Sequence, residues 1–152
     1  MNTKRYGNIG EAVAISLFVK RCIPVYLPFG DNERSDLIAE FGGRLNKIQV
    51  KTAVNSNNGS VVFDLTSSTS HRTGGHKHKY SKNEVDYFFC YNVDRDKSYL
   101  VKVPEEPISS IRIRFEDTKN SQVNNINHER DYLFEHVLDK VINGNAVERS
   151  EH

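Results

Sequence analysis

The sequence predicts a single domain of mixed α/β class, on three observations. Helical apolar patterns stand near both ends of the chain, and short β-branched and aromatic runs separated by turn residues fill the interval between them. The 152 residues suffice for one compact fold but not for two with separate large cores. Hydrophobic residues make up 37% and charged residues 27%, leaner than an average globular chain and well short of a disordered one, so a modest core is expected. No apolar run approaches the ~20 residues that span a bilayer. The opening Met1-Asn2-Thr3-Lys4-Arg5-Tyr6-Gly7-Asn8 lacks the apolar stretch of a signal peptide, so a soluble intracellular protein with no membrane partner is expected. Cys22 and Cys90 stand far apart and form no zinc-like spacing, which argues against a disulfide framework and a structural zinc.

The first element is a helix from about Asn8 to Arg21, apolar on nearly every side and therefore expected to be buried. Ile23 to Phe29 reads as a strand closed by the turn Gly30-Asp31-Asn32. Asp36 to Phe41 and Leu45 to Ala53, separated by Gly42-Gly43, form a hairpin, and Val61 to Leu65 adds another strand. Val85 to Val93 and Ser98 to Val103 are two strands across the charged turn 94–97. Ile111-Arg112-Ile113-Arg114-Phe115 alternates with period two, a half-buried strand with both arginines outward. His128 to Ile142 is apolar at helical spacing and meets a stop signal at Asn143-Gly144, which leaves a flexible tail over 145–152.

The net charge is only +1, which argues against a polyanionic partner until its distribution is read. Residues 66–82 hold Arg72, Lys77, Lys79 and Lys82 and no acid, so this segment carries +4 and the remainder −3. His71, His76 and His78 lie in the same stretch; a glycine-bearing segment with His-x-His beside lysines reads as a solvated, phosphate-contacting loop in preference to a metal site.

Chemistry is concentrated elsewhere. Alternation along Asn46–Lys51 puts Gln49 and Lys51 on one face of a strand, about 7 Å apart at Cα, with Ile48 and Val50 on the other. Asp36 opens the neighbouring hairpin strand, and Glu11 shares a helical face with Ala14, Ile15 and Phe18. Two acids, an amide oxygen and an ammonium group at a sheet edge suit Mg²⁺, with Mn²⁺ substituting. Such an ion takes one or two carboxylates and completes its shell with water and phosphate oxygens. A lysine beside metal-bound water can position it for in-line attack on phosphorus.

Gly7-x-x-Gly10-Glu11 on the first helix, Ser35-Asp36 at a strand's opening and Gln49-Val50-Lys51 on the next strand resemble the PD-(D/E)xK nuclease superfamily. That is the fold of many restriction enzymes and archaeal junction resolvases. Within it, the run Ile48-Gln49-Val50-Lys51-Thr52, and Val85-Asp86-Tyr87-Phe88 followed by Tyr99-Leu100-Val101, are similar to the homing endonucleases that cyanobacterial group I introns encode. The resemblance implies a restriction-endonuclease-like core, a mixed central β-sheet flanked by helices. It implies that Asp36 is the central metal-binding carboxylate, Glu11 a second acid, Gln49 the occupant of the second motif acid's place, Val50 a ligand through its backbone carbonyl, and Lys51 the catalytic lysine. Ser35 departs from the motif proline, and Gln49 removes one negative charge from the metal site. The implied protein is a site-specific endonuclease in the cytoplasm of a bacterium, cutting double-stranded DNA at a long, nearly palindromic target for intron homing.

Other readings stand beside these. Asn8-x-x-Glu11 fits a helix cap, and Asp36 and Lys51 fit a cross-strand ion pair. A junction resolvase or restriction-type nuclease would use the same site, and a non-catalytic DNA-binding module would use none. Groove and phosphate contacts are expected from Arg72, His76, Lys77, His78, Lys79, Lys82, Arg112 and Arg114, the phosphates giving affinity and base edges specificity. A chain of this length has a radius of gyration of about 15 Å, too small to cover ~20 base pairs, roughly 70 Å of duplex. Double-strand cleavage therefore calls for at least a dimer, and the resemblance implies a tetramer. The carboxy-terminal helix and the apolar run Tyr87–Tyr91 are the candidate buried contact surfaces, and the sequence does not distinguish either from ordinary core.

Overall fold

The computed structural model describes residues 1–30, 33–69, 76–117 and 125–150. In chain order the elements are α1 (Thr3–Lys20), β1 (Val25–Tyr26), β2 (Leu37–Phe41), β3 (Arg44–Ala53), β4 (Ser60–Asp64), β5 (Thr66–Thr69), β6 (His76–Lys79), β7 (Tyr87–Asn92), β8 (Lys97–Lys102), β9 (Ser110–Arg114), β10 (Asn127–His128) and α2 (Phe134–Ser150). The main sheet has the order β1-β2-β3-β7-β8; a second sheet has β10-β9-β4, and β5 and β6 form a two-stranded arm. The β3–β7 pairing is parallel and the other pairings of the main sheet are antiparallel, which makes that sheet mixed as expected.

The sheet is covered differently on its two faces. On one, Ala14 and Phe18 of α1 and Phe134 and Leu138 of α2 pack against Leu37, Ala39, Ile48, Val50 and Phe89. On the other, Phe88, Cys90, Tyr99 and Val101 meet Val61, Phe63, Ile111 and Ile113 of the second sheet. Both helices thus share one face, tied together where Arg21 pairs with Glu135 and Asp139. Among the described residues no helix is long and apolar enough to cross a membrane.

Several local readings are corrected. The first helix starts at Thr3, capped by the Asn2 side chain, which accepts from the Arg5 amide at 3.0 Å. Asn8 and Glu11 are therefore interior to the helix, and the capping role of Glu11 is excluded. Its buried face is the narrow stripe Gly10, Ala14 and Phe18, whereas Val19 is half exposed. Of the run 23–29 only Val25 and Tyr26 pair as strand. His128 belongs to a strand and 129–131 to a 3-10 turn, and α2 passes through Asn143-Gly144 to Ser150, so the tail expected from 145 is helical to 150. The basic segment is not a loop throughout: 66–69 and 76–79 pair as strands, and His71 and Arg72 fall outside the described residues. The run Tyr87–Tyr91 is a central strand buried on both faces and is core, not a contact surface.

Two glycine features position the site. Gly42 and Gly43, both at positive φ, make the tight turn that sets the β2–β3 register. Gly10 lets α1 lie directly on β3, since a Cβ there would stand 2.5 Å from Thr52 Oγ1 and 3.2 Å from Val50 Cγ1. A Gly10→Ala protein is expected to lose about 1–3 kcal/mol of stability by overpacking, readable as a lower urea midpoint at unchanged slope.

Candidate active site

The β2–β3 ladder runs from Phe41↔Arg44 to Leu37↔Ile48 and then opens. At this fork the Asp36 amide still donates to the Ile48 carbonyl (2.9 Å), but the next ladder position is filled by a side chain: Asp36 Oδ2 accepts from the Val50 amide at 2.8 Å. Since N–H and C=O of one strand residue point to the same edge, the Val50 carbonyl also faces the fork. Gln49 and Lys51 share a sheet face by alternation along β3, and Asp36, one residue beyond the last β2–β3 pair, acts on Lys51 through its charge. Gln49, Lys51 and Asp36 are all half-buried.

Glu11 reaches the same fork from α1. Its side chain is exposed as a whole and not buried as expected, yet its carboxyl stands near enough to that of Asp36 for the two to interact. Glu11, Ser35 and Asp36 line an open cleft of about 350 Å³. Desolvation, then repulsion by and hydrogen bonding to Asp36, pushes the Glu11 carboxyl above its ordinary range. Burial also raises Asp36, outweighing the Val50 amide, the Lys51 charge and Glu11, all of which pull it down. Two carboxyls so placed repel each other unless a proton or a cation stands between them.

That donor set fits a hard divalent cation. Among the described residues no group of three or more His, Cys, Asp or Glu could hold a metal; the donors at the fork are two carboxylates, an amide oxygen and a carbonyl. Mg²⁺ and Mn²⁺ accept such oxygen sets and keep sites for water and phosphate.

The raised carboxyls have a consequence for stability. A carboxyl whose pKa is higher folded than unfolded destabilises the fold above its folded pKa, and the penalty disappears as pH falls through that value to below the unfolded one, ordinarily 4.5 for Glu. Metal-free Glu11→Gln protein is therefore expected to melt above wild type at neutral pH. The difference should shrink on acidification through the carboxyl range, as scanning calorimetry at several pH values would show.

Lys51 is held on its far side by residues the sequence did not suggest. Its Nζ donates to the Thr66 carbonyl at 2.7 Å and lies 5.1 Å from the centroid of the Tyr80 ring. Desolvation lowers its pKa, opposed by the charges of Asp64 and Asp36. Asp64 braces the β4–β5 bend, with Oδ1 accepting from the Thr66 amide (2.9 Å) and hydroxyl (2.6 Å), and pairs with Lys77 at 3.6 Å. Asp64-x-Thr66 is a recognisable Asx-type signal; nothing local marks Tyr80. Arg34, two residues before Asp36, links it to the arm through Ser67 Oγ (3.2 Å) and to Glu84 (3.3 Å).

The predicted DNA contacts are dispersed. His76, Lys77 and Lys79 are exposed on β6; His78 lies 3.2 Å from Glu84, and Lys82 pairs with Glu105. Arg112 is exposed and Arg114 half-buried on the second sheet, hydrogen-bonded to Ser60 Oγ (2.9 Å) and the Asn58 carbonyl (3.4 Å). They belong to a different sheet from the arm.

A family model described as PD-(D/E)XK endonuclease matches residues 1–135. The fold is similar to the solved structure of a bacterial homing endonuclease, I-Ssp6803I, with a TM-score of 0.74 and 23% identity over 98% of this chain and 99% of that one. No curated protein matches significantly.

Proposed function

We propose that this chain, which belongs to the PD-(D/E)XK endonuclease family, is a Mg²⁺-dependent DNA endonuclease that makes double-strand breaks at a long, nearly palindromic site and serves group I intron homing. The observation that carries the catalytic part is the meeting of the Glu11 and Asp36 carboxyls at the fork beside Val50, one residue from Lys51. Homing is supported by the resemblance of Gly10-Glu11 and Ile48–Thr52 and by the similarity in fold to a homing endonuclease.

Asp36 and Glu11, with the Gln49 amide oxygen and the Val50 carbonyl, would hold the ion. When bound, it supplies Lewis-acid polarisation of the scissile phosphate and lowers the pKa of water. The chain's own part is to set positions and charges. Asp36, fixed by two backbone hydrogen bonds of β3, keeps one carboxylate oxygen free for the ion. Lys51 orients the attacking water and stabilises its deprotonated form. Lys77, Lys79 and Arg72 make the groove contacts to bases and phosphates, and a homo-oligomer, a tetramer on the family resemblance, supplies the second active site that a double-strand break needs.

The test is incubation with a duplex bearing a candidate intron-insertion site, a four-way junction and a random plasmid, each with Mg²⁺ or with chelator. Cutting of the insertion-site duplex alone, abolished by chelator, is expected. Preferred cutting of the junction would assign a resolvase, and DNA shifted in a gel but intact at every Mg²⁺ concentration would assign a non-catalytic binding module.

A further inference from the structure

We infer that Tyr80 is a positioning residue for Lys51, and that the base of the β5–β6 arm forms a socket holding the lysine's ammonium group in place for attack. The inference rests on the reading of Lys51 as the catalytic lysine. Lysine carries its charge on a flexible four-carbon stem with three donors, so a strand position alone does not fix where Nζ sits. Here two groups do. The Thr66 carbonyl accepts at 2.7 Å, and the Tyr80 ring presents its face 5.1 Å from Nζ, inside the range in which an aromatic quadrupole attracts a cation.

Both groups come from one place. Thr66 opens β5, Tyr80 directly follows β6, and Thr66 is the register partner of Lys79, so the socket is the foot of the arm that carries Lys77 and Lys79. The ring is rigidly seated: Tyr80 is only 5% exposed and stacks edge-on with Phe88 at 5.7 Å and His78 at 6.3 Å. Asp64 fixes the other half of the socket through the Thr66 amide and hydroxyl. Cys90, opposite Lys51 across the β3–β7 ladder, is a fully buried thiol and supplies no anion there. With one donor on Thr66 and the ring beneath, two donors remain for water and substrate. The element that meets DNA phosphates is thereby the one that places the reactive ammonium.

The test compares single-turnover cleavage with DNA affinity measured in chelator. Tyr80→Leu keeps the burial and removes the ring; it is expected to slow cleavage roughly tenfold at unchanged affinity. Tyr80→Phe, which keeps the face of the ring, should restore the rate, and 3,4,5-trifluorophenylalanine at position 80, nearly the same shape with a weakened quadrupole, should slow it again without impairing folding. Equal rates for the phenylalanine and trifluorophenylalanine proteins, or parallel losses of rate and affinity, would overturn the inference. If wild type itself cuts nothing, the enzymatic reading fails separately, and the contact is still read from stability: Tyr80→Leu should lower the melting temperature less in a Lys51→Met background than in wild type, and equal losses would overturn it.

Discussion

A Lys51→Ala protein is expected to bind target DNA within a few-fold of wild type and to cut it about a thousandfold more slowly. On the proposed reading the side chain contributes one positive charge to a DNA-binding surface that keeps Lys77 and Lys79, so the salt dependence of binding should fall by no more than about one ion. Its contribution to the reaction is larger, because it is the cation beside the carboxyl fork, with Nζ fixed on the Thr66 carbonyl. Gel-shift titration in chelator and single-turnover cleavage in Mg²⁺ separate the two. Undiminished cutting would remove Lys51 from the mechanism.

Asp36→Asn is expected to abolish Mg²⁺-supported cleavage, with a loss of about a thousandfold or more, while the metal-free protein melts no lower than wild type. The two effects have one origin. Burial makes the Asp36 charge unfavourable in the metal-free fold, and the Asp36 charge in turn disfavours that of Glu11. An asparagine oxygen can still accept from the Val50 amide, as Oδ2 does at 2.8 Å, while its amide group donates to Glu11. The substitution therefore removes a buried charge that, on the proposed reading, the cation offsets. Thermal melts with and without Mg²⁺ would show wild type gaining stability from the ion and the variant gaining none. A variant that melts well below wild type without metal would mean that Asp36 is a structural clamp and little else.

Much of the site was legible because its spacing is local. Gln49 and Lys51 share a face by strand alternation, and Gly42-Gly43 sets the hairpin that brings Asp36 near them. Gly10 and Glu11 were readable as a pair, but the reason was not: Gly10 is small because Thr52 and Val50 lie against it, a contact across some forty residues. The helix start was misplaced because Gly7 and Asn8 look like a boundary, whereas Asn2 caps and Gly7 sits inside with open space around it. Whether the apolar run Tyr87–Tyr91 is core or contact surface is not decided locally, because its burial depends on parallel pairing with β3 and on a second sheet, neither visible in a local window. Tyr80 and Thr66 stayed hidden for the same reason. Only the folding back of the basic arm carries them to Lys51.

The most direct measurement is an anomalous difference map from a crystal soaked in Mn²⁺. A peak between the Glu11 and Asp36 carboxyls, within ligand distance of the Val50 carbonyl, is the predicted result. A map with Mn²⁺ bound elsewhere and none at that fork would contradict the account.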